Sequence, residues 1–158
     1  HGMVDVSKNK IINISNYNIP GIVDGRGPIM NILSDDKSII DLVIPNVSIV
    51  SAKLNYDLHY DSSMYDFLLI ADEGWMMYSD EYLREYDGEI PVKGMHGYQS
   101  DNINMHAIFY AFGQSFKNSL QIDTFELIHI YPLLCELLEI TPYENIDGKL
   151  EILKPILK

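Results

Sequence analysis

A single cysteine, Cys135, occurs in the 158 residues, so no internal disulfide and no multi-cysteine zinc cluster can be built from this chain. It lies in the apolar stretch Tyr131-Pro132-Leu133-Leu134-Cys135-Glu136-Leu137-Leu138 and reads as a packed thiol. Basic residues are also scarce. Eleven Lys and Arg stand against 23 Asp and Glu, giving a net charge of −12 and an isoelectric point near 4.6. A phosphate backbone or an anionic membrane face selects a basic surface, so a nucleic acid polymer is not an expected partner. No apolar run approaches the roughly 18 residues of a bilayer span, and no membrane span is expected in this segment. His1-Gly2-Met3-Val4-Asp5 shows neither the basic start nor the apolar stretch of a signal peptide. Gly21, Gly25 and Gly27 match neither a P-loop nor the dinucleotide fingerprint, and Gly-x-Ser-x-Gly does not occur. No repeat, low-complexity tract or long linker divides the chain, so residues 1–158 are expected to form one unit without an internal boundary.

What is present is enough apolar material for a core: 47% hydrophobic residues, 11% aromatic. The run 10–17, Lys10-Ile11-Ile12-Asn13-Ile14-Ser15-Asn16-Tyr17, is rich in β-branched residues and reads as a strand. Gly21 to Pro28 reads as a turn region, and Pro28 to Leu33 as a second strand. Ser34 is placed as an N-cap, with Asp35 and Asp36 in the first turn of a helix that stops before Pro45. Val47 to Leu54 alternates like a strand, and Phe67-Leu68-Leu69-Ile70-Ala71 reads as a strand covered on both faces. His106 to Phe112 is a further predicted strand. The clearest helix starts with His129 as N-cap, carries Pro132 in its first turn, and runs through Leu138 to halt before Pro142. Strands and helices alternate, so the class is α/β, a mixed sheet flanked by helices.

Five histidines in an acidic chain raise the possibility of a metal site, since imidazole and carboxylate together suit zinc. His1 and His96 adjoin glycines, in His1-Gly2-Met3 and Gly94-Met95-His96-Gly97-Tyr98, where the backbone can bend closely around a ligand. Spacing alone leaves His96 open between a metal ligand and a hydrogen-bonded loop histidine. His59 and His106 flank apolar residues and read as structural. Asp72 and Glu73 form a paired-carboxylate candidate for acid–base work, or a solvated turn before Gly74. Trp75 and Tyr78 could stack on a base or choline group, but core packing explains them as well. Two glycosylation sequons, at Asn13 and Asn46, permit a secretory location.

Several motifs in order resemble the C-terminal part of the nucleotide pyrophosphatase/phosphodiesterase family, within the alkaline phosphatase-like superfamily. His1-Gly2-Met3-Val4-Asp5-Val6 is similar to the end of that family's Ser-Asp-His-Gly-Met motif. Leu69-Ile70-Ala71-Asp72-Glu73-Gly74-Trp75 resembles its central strand and turn. Gly94-Met95-His96-Gly97-Tyr98, with Met105 to Gly113 and then Phe116-Lys117, resembles its most distinctive segment, and Thr124 to Pro142 its closing helix. The resemblance implies a partial catalytic domain from a zinc-dependent hydrolase of phosphodiester or pyrophosphate bonds. It implies two zinc ions in the intact enzyme, with His96 a ligand of one and His1 of the other. It also implies a threonine nucleophile upstream of this chain, no catalytic residue within it, and a small phosphodiester or nucleotide substrate. Tyr98, Asp72 and Trp75 are carried as substrate-side or supporting residues. Gln99 and Ser100 depart from the family's usual Asp-Asn after His-Gly-Tyr. Alternatives within the same fold are a phosphohydrolase acting on a phosphomonoester, phosphonate or lipid headgroup, and a catalytically dead binding module. The chain alone is expected to be inactive, to bind zinc weakly or not at all, and to tend to self-associate. The resemblance and the sequons together suggest an extracytoplasmic location.

Overall fold

The computed structural model describes residues 1–52, 64–87 and 93–158. His59 and the end of the strand predicted over Val47 to Leu54 lie outside them. The chain falls into two compact units, His1–Ile108 and Phe109–Lys158.

In the first unit, β1 (Val4–Asp5), β2 (Ile11–Asn13), β3 (Ile22–Gly25), β4 (Ile29–Leu33), β5 (Val47–Ser51), β6 (Phe67–Ala71), β7 (Met76–Tyr78), α1 (Asp80–Glu85) and β8 (Gly94–Met95) follow one another. Four strands form an antiparallel sheet in the order β3-β4-β6-β5. β2 and β7 pair in parallel, Ile11 beside Met76, and β1 pairs antiparallel with β8. Mixed sheets with helices are what the α/β expectation required. β6 is central and entirely buried. Alternate side chains point to opposite faces of a strand. Phe67, Leu69 and Ala71 therefore enter the main core with Ile12, Met30, Ile32 and Met77, while Leu68 and Ile70 enter a smaller cluster with Ala52. The strand is covered on both faces, as its unbroken apolar run predicts.

Local chemistry shortens or shifts several other predicted elements. The 10–17 strand survives only as β2, because the Asn13 carboxamide accepts the Ser15 N–H and turns the chain into a 3-10 segment at Ile14–Asn16. Half of the predicted turn over Gly21 to Pro28 is β3, hairpinned onto β4 with Val23 opposite Ile32, and the turn itself closes through the left-handed Gly25 and Gly27. The helix expected from Ser34 is a five-residue 3-10 segment, Lys37–Asp41, capped by Asp36, whose carboxylate accepts the Ser38 N–H at 2.9 Å. Ser34 lies one turn earlier and accepts from the Asp36 N–H. Adjacent β-branched Ile39 and Ile40, and Pro45 soon after, leave little room for an α-helix. α1 is a helix not anticipated from the sequence. Ser79 caps it by accepting the Tyr82 N–H, and Asp80 and Glu81 occupy the first turn.

In the second unit, α2 (Ile130–Leu137) and α3 (Leu150–Leu153) pack through Leu133, Leu153 and Ile156, and Cys135 is buried as expected. α2 ends before Pro142 acts: Glu139 takes a left-handed φ of 55°, and the Ile140 N–H returns to the Cys135 carbonyl at 3.0 Å. His129 stands at the start of α2 but caps nothing with its side chain. Its Nδ1 accepts the Lys149 N–H at 3.0 Å and its Nε2 faces Glu126 at 3.7 Å, so the buried imidazole ties α2 to the segment before α3. Residues 106–112, predicted as a strand, form no ladder, and Ile108, Tyr110 and Phe112 are largely exposed. A strand needs a neighbour for its N–H and C=O groups, and among the described residues no strand pairs with this segment. No helix of the described residues is long and apolar enough to cross a membrane.

Candidate functional site

The β1–β8 pairing brings together two histidines that are 95 positions apart in sequence. Val4 lies opposite Met95 and Asp5 opposite Gly94. His1, just before β1, and His96, just after β8, therefore arrive at the same end of the ladder. Their ring centroids are 4.4 Å apart with the planes inclined at 55°, and both residues are exposed. Gly97 follows with φ 90°, a left-handed turn that a side chain disfavours. Gly2 donates its N–H to the His106 carbonyl at 3.0 Å, and a Cβ there would sit 1.8 Å from the Asn104 carbonyl oxygen. Only glycine lets the chain after His1 pass so close.

His1 Nδ1 lies 2.9 Å from the Gly2 carbonyl. A carbonyl only accepts, so Nδ1 is the donor in this contact and Nε2 is the nitrogen left to face away from it. His106 Nε2 contacts the Ser100 carbonyl at 3.1 Å, an internal fastening of its own loop. It matches the structural role read from sequence.

Asp72 and Tyr98 meet elsewhere, around a small cavity of about 140 Å³ that Ser48, Asp101 and Asn102 also line and neither imidazole of the pair enters. Tyr98 is buried and donates its hydroxyl to the Trp75 carbonyl at 2.9 Å. Burial pushes the phenol's pKa up, the nearby Glu73 charge adds to this, and a backbone hydrogen bond opposes it. Trp75 is half-buried and packs against the main core. The Asp72–Glu73 pair is a turn, closed by the Trp75 N–H on the Asp72 carbonyl. Both Glu73 oxygens are occupied: Asn102 donates its amide at 2.6 Å and Asn104 at 2.9 Å. Asn104 and this clamp were not anticipated. The partners lie about 30 residues from Glu73, and no local pattern marks them.

Two neighbouring imidazoles suit zinc, which binds the neutral ring through a nitrogen lone pair. Among the described residues no group of three His, Cys, Asp or Glu could hold a metal ion.

The architecture is alkaline phosphatase-like. It superposes on human ectonucleotide pyrophosphatase/phosphodiesterase 5 with a TM-score of 0.83 and 24% identity, over 100% of this chain and 43% of that one. The murine protein of the same name gives the same values. No family model matches the chain. Among curated proteins, bis(5'-adenosyl)-triphosphatase enpp4 of Xenopus laevis is 33% identical over 168 aligned positions, which cover 99% of this chain and 35% of that protein. Ectonucleotide pyrophosphatase/phosphodiesterase family member 7 of Mus musculus is 36% identical over 91, covering 58% of this chain and 19% of the relative. The chain belongs to the nucleotide pyrophosphatase/phosphodiesterase family. It spans about a third or less of the length of these curated relatives.

Proposed function

We propose that this chain is the C-terminal portion of the catalytic domain of a zinc-dependent phosphodiesterase or nucleotide pyrophosphatase, and that it contributes His1 and His96 to the metal centre. The observation that carries this reading is the 4.4 Å approach of the two imidazoles, which sequence resemblance had assigned to neighbouring metal ions. The relatives named above are phosphodiesterases or a triphosphatase by name, and the reaction class follows from them.

Zinc bound at such a site supplies positive charge against the oxygens of an in-line phosphoryl displacement. The chain's own residues do the rest. His1 presents Nε2, with Nδ1–H held on the Gly2 carbonyl, and His96 enters on a glycine-hinged loop. Neutral donors leave the site's charge available to an anionic phosphate. The remaining ligands and the threonine nucleophile belong to parts of the protein outside these 158 residues, so the chain alone is inactive. The substrate is a small phosphodiester or a nucleotide.

An extracytoplasmic location accords with the relatives' names and the sequons. The Asn13 amide is held on Asp80 at 2.5 Å, while Asn46 occupies a left-handed turn position with φ 62°. The deciding measurement is the metal content of the intact protein with and without His96→Ala. Two zinc ions in the parent and a loss of about one in the variant are expected; unchanged content would remove His96 from the site.

A further inference from the structure

The turn between β6 and β7, residues 72–75, holds both histidine-bearing segments at once. On one side the Tyr98 hydroxyl is fixed to the Trp75 carbonyl at 2.9 Å, two residues beyond His96. On the other, Glu73 receives the Asn102 and Asn104 amides, one on each oxygen. Asn102 also caps the 3-10 segment Ile103–Met105 by accepting the Asn104 N–H at 2.9 Å, and the Met105 N–H bonds the Asn102 carbonyl at 2.8 Å. That segment is the surface on which Gly2 lies, against the Asn104 carbonyl and with its N–H on His106. Glu73 thus fastens the turn that seats Gly2, and Gly2 carries His1.

We propose that Glu73 is a positioning residue for the paired imidazoles, acting through Asn102 and Asn104 rather than by touching metal or substrate. The inference rests on the reading of His1 and His96 as metal ligands. A carboxylate suits the task because it offers two acceptors and no donor, and two amide N–H groups converge on it. Groups that orient metal ligands typically change affinity about 10- to 100-fold when removed.

The test follows the imidazole NMR signals of the 158-residue chain without metal, and titrates the intact protein with zinc chloride. Two readouts are taken: the ring-to-ring nuclear Overhauser effect between His1 and His96 without metal, and the zinc affinity of the intact protein. Glu73→Ala should abolish the first and weaken the second at least 10-fold. Glu73→Gln, which keeps one acceptor oxygen, should recover part of both and covers the case in which the alanine variant does not fold. A ring-to-ring effect and zinc affinity in a folded Glu73 variant equal to those of the parent would overturn the positioning role. Loss of the metal-free effect in the variant, together with a zinc content of the intact protein that His96→Ala leaves unchanged, would keep the positioning role and remove the metal reading.

Discussion

At the scale of single residues, the geometry turns on groups whose replacement has a calculable consequence. Gly2 is one: any Cβ meets the Asn104 carbonyl oxygen at 1.8 Å, so the backbone must shift. Gly2→Ala should cost about 1–3 kcal/mol, as overpacking does, and should separate the His1 and His96 rings, readable by urea denaturation and by their NMR contact. Tyr78 is another. It is buried, its ring stacks on Tyr82 at 4.8 Å, and its hydroxyl faces the Met76 sulfur at 3.3 Å. Burial pushes its pKa up from 10 to about 12, with Tyr82 adding to this and Arg26 opposing it. A phenol that keeps its proton longer when folded contributes stability below pH 10 that is lost as pH rises toward 12. Melting temperature should fall across that window, and Tyr78→Phe should flatten the fall. An equal slope in the variant would assign it to other groups.

At the scale of elements, β6 holds the first unit together. It pairs with β4 and β5 and lends its two faces to separate apolar clusters. Leu69 is fully buried there. Leu69→Ala should destabilise the chain by about 2–5 kcal/mol in chemical denaturation, from lost transfer energy and the cavity left behind. Ile22→Ala, on the exposed edge strand β3, should cost far less, since that side chain is mostly in water already. β6 was legible from sequence because five consecutive apolar residues allow few other placements. The Lys37–Asp41 segment and β3 were not. Whether Asp36 or Ser34 takes the cap, and whether a glycine-punctuated run folds as a turn or a hairpin strand, differ by only a hydrogen bond or two in local energy. Packing against β4 and the burial of Ile39 decide them.

At the scale of the whole molecule, several large apolar side chains stand in water. Ile108, Tyr110, Phe112, Leu127, Leu138 and Tyr143 are all exposed. Large apolar side chains left in water favour association when they gather into patches. The isolated chain should bind anilinonaphthalene sulfonate and sediment faster with rising concentration. It should show no turnover of bis-p-nitrophenyl phosphate with added zinc, because two imidazoles do not complete a metal site. Measurable hydrolysis by the purified chain would place a nucleophile within these residues and overturn the proposed division of the active site.

The amino-acid sequence by itself determined the acidic character, the buried thiol of Cys135, the β6 strand, helix α2 and the family, since each is written in composition or in contiguous motifs. It also named His1 and His96 individually. That their rings lie 4.4 Å apart, that Glu73 is spent on two asparagines, and that His129 ties α2 to Lys149 instead of capping it were decided only by the tertiary structure. Each depends on strand register or side-chain contact between segments distant in the chain, and no local pattern of residues encodes that distance.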